Sequence, residues 1–430
     1  MRILVISDLY PPDMRGGAEV MMAEAVDGLR ERGHEVVVAT GASGPARAHV
    51  RPCLEYRPSP RWQGGRAWLT PWRAAASYRR AFRNPHNEAA IRSLLAELRP
   101  EVVYLGCVCG VSPCSVLRAL REHRGPVVAH LHEYWLPNML HGVGESSRLM
   151  LPWLKRRLIG LNARRDLRFT SMVAVSGTLR ARYVEAGFNT DVIEVIPYGL
   201  GPPSFERQRA PALDGELRLL YVGRLDPEKG AHLLLERLAV VAGEASERRI
   251  RCDFVGSPGP PAYMRRLRQL MMADALQGSV CLLGSVHRET ILRLYAGYDA
   301  VVVPSLWQEP FSLVVPEALA AGTAVVASRR VGAVEWFEDG RDLLLFSSQT
   351  PWELDQALRR LRDERGLAVR LAAAGSRKAR QVFDRESFLD RLESHLKGAL
   401  GRPNLSPLLA GARQVRRVTS PCAEDSRRAA

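Results

Sequence analysis

Short apolar runs alternate with amphipathic stretches along most of this chain. In the first half such runs fall at 2–7, 35–40, 101–106, 126–131, 171–175 and 192–196, and each has the length and composition of a buried strand. A second series falls at 217–222, 251–255, 279–283, 300–303, 324–328 and 342–346. Helical patterns separate the strands, which predicts parallel sheets covered on both faces. The poorly patterned stretch 201–216, rich in Pro and Gly, reads as a linker. Two doubly wound domains, 1–200 and 217–384, with a cleft between them follow from this pattern. Phe388, Leu389, Leu392 and Leu396 recur at helical spacing and predict a last amphipathic helix over 385–400. Beyond it, 401–430 accumulates Pro, Ser, Gly and Arg without periodicity and reads as a disordered tail.

At 430 residues, two domains are expected rather than one. The start, Met1 to Ser7, is too short an apolar run for a signal peptide, and no run approaches the roughly 20 apolar residues that span a bilayer. A cytoplasmic protein is expected. Seven cysteines on so long a chain argue against a disulfide framework. Cys107, Cys109 and Cys114 cluster, yet no second Cys/His pair of zinc-type spacing accompanies them. They read as buried thiols after a strand, and no metal site or cofactor is expected.

The formal net charge of +15 favours acidic partners. Six arginines (61, 66, 73, 79, 80 and 83) interleave with Trp62, Trp68 and Trp72, without an acidic residue. A second basic stretch holds Trp153, Lys155, Arg156, Arg157, Arg164, Arg165 and Arg168 against Asp166 alone. Arg with interleaved Trp suits an anionic membrane face, and a solvated basic surface is the competing reading. Nucleic acid is not expected, because no binding module accompanies the charge.

The chemistry concentrates at Glu309-Pro310-Phe311-Ser312-Leu313-Val314-Val315-Pro316-Glu317, between two apolar runs. Ser312 reads as the N-cap of a short helix ending at Gly322. A helix start suits a phosphate, and Glu309 and Glu317 would flank it, with five helical residues covering about 7–8 Å along the axis. That spacing suits hydroxyl groups on either side of a diphosphate. Arg224 and Lys229, five residues apart after the first strand of the second series, can bracket a diphosphate, one as a fork and one as a point charge. Gly16-Gly17 follows the first strand, where glycine allows close backbone approach, but no Gly-x-Gly-x-x-Gly is present and nicotinamide chemistry is disfavoured. His132 ends a strand, where α/β folds place ligands, and His130 reads as structural.

In order and spacing these segments resemble the retaining glycosyltransferases of the GT-B fold, family 4. The resemblance runs from Met1 to about residue 400 through Gly16-Gly17-Ala18-Glu19, His132, Ser176, Ile196-Pro197-Tyr198-Gly199, the stretch Gly223 to Gly230, and the Glu309/Glu317 segment. It implies that Arg224 and Lys229 hold the diphosphate of a UDP- or GDP-type sugar donor, faced across the cleft by the Gly16-Gly17 loop. Glu309 would meet the transferred sugar, Glu317 the ribose, and the backbone N–H groups of Phe311, Ser312 and Leu313 phosphate or sugar. His132 would lie near the donor sugar, and the last helix would cross back to the N-terminal domain. Ser312 and Asp342 depart from the family, each standing where glycine is usual. No Asp-x-Asp occurs, so the implied reaction is metal-independent transfer with retention onto a hydroxyl acceptor. The setting implied is polysaccharide or glycolipid assembly at the inner membrane face. A soluble natural-product acceptor, or a non-catalytic sugar-nucleotide-binding subunit, fits the core motifs as well.

Overall fold

The structure, a computed structural model, describes residues 1–41, 47–57, 79–141, 161–201 and 215–409. Most of the first Arg/Trp-rich stretch, the first half of the second (153–160), most of the expected linker and the tail from residue 410 lie outside them. Among the described residues the chain forms two compact units, Met1–Tyr198 joined by 386–409, and Gly199–Arg385.

The first unit is built on a seven-stranded sheet of order β3-β2-β1-β4-β5-β6-β7. Its strands are β1 (Arg2–Ser7), β2 (Glu35–Thr40), β3 (Val50–Arg51), β4 (Val102–Leu105), β5 (Val127–Leu131), β6 (Ser171–Ala174) and β7 (Ile193–Val195). The second unit holds six strands in the order β10-β9-β8-β11-β12-β13. These are β8 (Glu216–Val222), β9 (Arg249–Val255), β10 (Val280–Gly284), β11 (Ala300–Val303), β12 (Ala324–Ser328) and β13 (Leu344–Phe346). All neighbouring pairs are parallel, and β4, β5, β11 and β12 are buried along their whole lengths. That is why those strands read as continuous apolar runs rather than as alternation. The short β3 edge was not expected from the sequence, and Glu216, assigned to the linker, opens β8.

Each sheet winds outward in two directions from one point. In the first unit the direction reverses between β1 and β4, and in the second between β8 and β11. Loops leaving the carboxyl ends of those strand pairs diverge and open a crevice, the usual ligand position in doubly wound sheets.

The helix Arg385–Ala399 belongs to the first unit, where Phe388, Leu389, Leu392 and Leu396 join a core with Val26, Leu29, Val36 and Ile196. A charged rim flanks the contact: Glu393 meets Lys397 (2.6 Å), His34 (2.9 Å) and Arg32 (3.1 Å), and His395 meets Glu194 at 2.8 Å. Lys397, His34 and Arg32 hold the Glu393 carboxyl at about 2, below its ordinary value of 4.5. A depressed carboxylate contributes stability that is complete above its unfolded value and fades as pH falls through the folded one. Glu393→Gln is therefore expected to lose about 1–2 kcal/mol at neutral pH, the rim being partly open to water. Thermal unfolding of the two proteins should converge as pH falls from 4.5 towards 2; a constant gap would show that the pairing is not the cause.

The expectation of a disordered tail fails for 402–409. Leu405 bridges Phe169, Leu408 bridges Phe188, and Asn404 accepts from the Val127 amide at 2.9 Å and donates to the Gly125 carbonyl at 2.8 Å. Side-chain amide and backbone pairing holds this segment, and a hydrophobic-periodicity reading does not register either. No described helix is long and apolar enough to cross a membrane.

Candidate active site

At the switch point of the second sheet, the loop after β8 carries Arg224 and Lys229, and the loop after β11 carries Ser305 and Glu309. The two loops are tied by the Leu306 amide, which donates to the Glu228 carbonyl at 2.9 Å. Gly230 makes that approach possible. Its φ is +72°, and a Cβ there would come within 2.0 Å of the Pro304 carbonyl oxygen.

Lys229 Nζ forms an ion pair with Glu309 Oε1, and Ser305 Oγ donates to Glu309 Oε2 at 2.6 Å. The ammonium also lies 5.8 Å from the centroid of the Trp307 ring. Glu309 is nearly sealed from water, at 5% exposure, while the lysine side chain keeps 20%. The backbone of Glu309 is zipped to the loop after β12: its amide donates to Arg330 (2.8 Å) and its carbonyl accepts from Gly332 (2.9 Å). A carboxylate so fixed, with a partly open cation beside it, is a preorganised polar pair. Arg224 pairs with Asp226 at 2.8 Å on the same loop.

Glu317 lies one turn into the helix Val314–Ala320. Its Oε1 pairs with Arg288, and the Tyr295 hydroxyl donates to Oε2 at 3.2 Å. Burial pushes its carboxyl above the ordinary value, opposed by Arg288 and Tyr295. Arg288 stays about one third exposed, so this pair too has a wet side.

The helix begins at Val314 with Leu313 as its cap, so Ser312 is not the N-cap expected from the sequence. Ser312 instead has φ +80°. This explains why glycine suits the position: a Cβ there sits too close to the following carbonyl oxygen, at a cost of about 1–2 kcal/mol. Ser312→Gly is expected to leave thermal stability unchanged or raise it, although glycine elsewhere commonly costs about 0.5–1 kcal/mol. Ser312→Val should lose about 1–2 kcal/mol more than the serine protein. A glycine variant melting clearly below wild type would show that no strain resides there. Asp342, the other departure, accepts from the Glu338 amide at 3.0 Å and stabilises its own turn. Phe311 packs edge-on against Trp336 and Phe383, so its side chain is core, and its carbonyl accepts from the Ala333 amide at 2.8 Å.

In the first unit, Gly16 starts the helix Gly17–Glu31, and its amide donates to the Glu19 carboxylate at 3.0 Å. His132 follows β5 and is buried, its Nδ1 hydrogen-bonded to the Tyr198 hydroxyl and its ring stacked on that tyrosine. Burial pushes His132 down to about 3, so the imidazole is neutral at ordinary pH and does not act as a proton donor of imidazolium type. Nε2 of His132 has no partner among the described residues, which leaves it one unused hydrogen-bonding position. His130 pairs with the Tyr104 hydroxyl inside the sheet, as a structural residue would. Asp8, at the end of β1, is buried, and desolvation raises it to about 6.

Ser305, Arg288, Tyr295 and Trp307 were not singled out in the sequence. Ser305 carried a usable signal, since it ends an apolar run at the carboxyl end of a strand. Arg288 and Tyr295 carried none: they are ordinary residues of a surface helix until the fold sets them against Glu317.

Two doubly wound parallel-sheet domains, with cations and carboxylates gathered at a switch point, make this a GT-B protein. Solved structures with the same fold match nearly the whole chain. HepE of Anabaena, in complex with UDP and glucose, has a TM-score of 0.68 at 21% identity, covering 93% of this chain and 100% of that one. Sucrose-phosphate synthase of Thermosynechococcus elongatus also has a TM-score of 0.68, at 20% identity, covering 92% and 98%. The family model Glycosyltransferase Family 4 matches 15–201, and Glycosyl transferases group 1 matches 216–364. The chain belongs to this family of glycosyltransferases. Its relatives include the phosphatidyl-myo-inositol mannosyltransferase of Mycolicibacterium smegmatis, 29% identical over 74% of each chain. Another is the GDP-mannose-dependent alpha-(1-6)-phosphatidylinositol monomannoside mannosyltransferase of Mycobacterium tuberculosis, 25% identical over 92% of this chain and 98% of that one.

Proposed function

We propose that this glycosyltransferase moves a sugar from a UDP- or GDP-type donor to a hydroxyl acceptor with retention of configuration and without a divalent cation, in cell-surface polysaccharide or glycolipid assembly. The Lys229–Glu309 pair at the crevice between β8 and β11 is the observation that carries the reading. A diphosphate entering there draws Lys229 and Arg224 to its oxygens, and Glu309, released from the lysine, accepts hydroxyls of the transferred sugar. Glu317 accepts from the ribose while Arg288 and Tyr295, which oppose the upward push of burial on its carboxyl, hold it aimed. As the glycosidic bond breaks, the two cations neutralise the leaving diphosphate, whose oxygen takes the acceptor's proton on the same face of an oxocarbenium-like sugar. Gly16, Gly17 and His132, which the family resemblance assigns to donor binding, lie in the first unit, where His132 carries a neutral hydrogen-bonding group. The absence of Asp-x-Asp motivates metal independence, and the mannosyltransferase relatives motivate a lipid-linked acceptor. The basic bias motivates peripheral attachment to an anionic inner membrane face, with about 1 kcal/mol from each engaged Lys or Arg. Salt-sensitive co-sedimentation with anionic but not neutral vesicles is the matching test.

Nucleotide release and product anomer are to be followed over a panel of UDP- and GDP-sugars with lipid-linked and soluble acceptors, in excess EDTA. Transfer with retention in EDTA is the expected result. Inversion, or activity that stops with chelator and returns with magnesium or manganese, overturns it. The two carboxylates should separate in calorimetry. Glu317→Gln weakens free-nucleotide binding, because a charged acceptor of the ribose is gone. Glu309→Gln lowers turnover but leaves free-nucleotide affinity equal or slightly raised, because Lys229 loses its competing partner. Equal losses of free-nucleotide affinity would rule out this division.

A further inference from the structure

The switch point of the first sheet holds a second cluster of polar side chains. Cys107 and Cys109 follow β4, Glu133 follows β5, and their two sulfurs and a carboxylate oxygen lie within 4.8 Å of one another. We propose that these three residues form a binding site for a thiophilic divalent cation, with zinc as the natural occupant.

Three features support a built site. Tetrahedral zinc with thiolate bonds of about 2.3 Å and carboxylate bonds of about 2.0–2.2 Å places its ligand atoms roughly 3.5–3.8 Å apart. The observed cluster therefore needs to contract by about 1 Å at most, within the reach of side-chain rotation. Second, the backbone carrying the ligands is anchored. The Gly110 and Val111 amides donate to Asp8 Oδ1 at 2.8 and 3.0 Å, and Cys107 Sγ lies 3.4 Å from Asp8 Oδ2. The Glu133 carbonyl accepts from the Tyr183 hydroxyl at 2.8 Å. Asp8 thus fixes the loop that carries the thiols through two backbone amides, and the Cys107 proton that it accepts is released when the thiolate binds metal. Third, Cys114, grouped with the other two in the sequence, is excluded: it is buried with its sulfur 3.9 Å from that of Met139. Cys107 and Cys109 are only partly buried, contrary to the sequence expectation of buried thiols, so an ion has access.

Three protein ligands leave the fourth tetrahedral position for water or an oxygen or sulfur of an incoming molecule, as in zinc sites that work on ligands rather than closed structural ones. The pair is soft enough to select zinc or cobalt over magnesium or calcium. The three proposed ligands all lie in the first unit, and none of them is a residue of the proposed diphosphate clamp, Arg224 and Lys229.

The test uses the full chain, stripped with EDTA, freed of chelator and titrated with cobalt(II). One equivalent is expected to bind with the charge-transfer absorption of cobalt–thiolate coordination. Cys107→Ser and Cys109→Ser should abolish that absorption, Glu133→Gln should weaken binding at least tenfold, and Cys53→Ser and Cys281→Ser should leave it unchanged. In the wild-type protein, zinc should protect Cys107 and Cys109, but not Cys53 or Cys281, from alkylation mapped by mass spectrometry. That measurement needs no variant to fold. No thiolate band, a band that survives Cys107→Ser, or protection confined to other cysteines would overturn the proposal.

Discussion

Lys229→Ala is expected to weaken binding of a nucleoside diphosphate by about 2–4 kcal/mol, roughly 30- to 700-fold, in a protein that remains folded. Two losses add. The variant lacks a charge-assisted hydrogen bond to phosphate, worth about 1.5–3 kcal/mol. It also leaves the nearly sealed Glu309 carboxylate without its cation, so the incoming anion meets an unneutralised negative charge. Arg224→Ala incurs only the first loss, because its structural partner Asp226 is more open to water, and about 1.5–3 kcal/mol is expected. The double variant Lys229→Ala/Glu309→Gln should recover part of the affinity, a coupling that a purely additive clamp would not give. Calorimetry with UDP and GDP reads all of these. Unchanged affinity in the folded Lys229→Ala protein would remove the lysine from the phosphate site.

Gly230→Ala is expected to cost about 3–5 kcal/mol of stability and most of the nucleotide affinity. An alanine at φ +72° costs about 1–2 kcal/mol for conformation alone. Its Cβ must also displace a backbone oxygen that would lie 2.0 Å away, and this pushes the loop after β11 off the loop after β8. Those are the loops that bring Glu309 to Lys229. Gly340→Ala is the internal control, with φ +79° and open space around the new Cβ, so it should incur only the conformational cost. Chemical denaturation of both variants isolates the close approach as the difference between them. Equal losses would mean that contact between the loops contributes nothing.

The two series of strands, their parallel pairing and the last helix were legible in the sequence, because each is written in consecutive residues. A strand buried on both faces shows as an unbroken apolar run such as Ala300–Val303, and Phe388, Leu389, Leu392 and Leu396 mark a helix by their spacing. Gly322, with φ +78°, closes its helix as its residue type suggested. Resemblance to the family assigned Arg224, Lys229, Glu309 and Glu317 together, but not how they meet.

Their meeting is a property of the tertiary structure. Lys229 and Glu309 are 80 residues apart and come together only because the sheet reverses direction between β8 and β11. Arg288 and Tyr295 reach Glu317 from a separate helix, with nothing in their own sequence to announce it. The same reversal between β1 and β4 brings Asp8 to Cys107, while Glu133 arrives from the neighbouring β5. Ser312 reads locally as a helix cap, yet the pairing of Glu309 and Phe311 with the loop after β12 fixes the backbone just before it, and it adopts φ +80° instead. Local periodicity reports which face of an element is buried. Which polar groups converge depends on strand order, and strand order is set by the packing of the whole sheet.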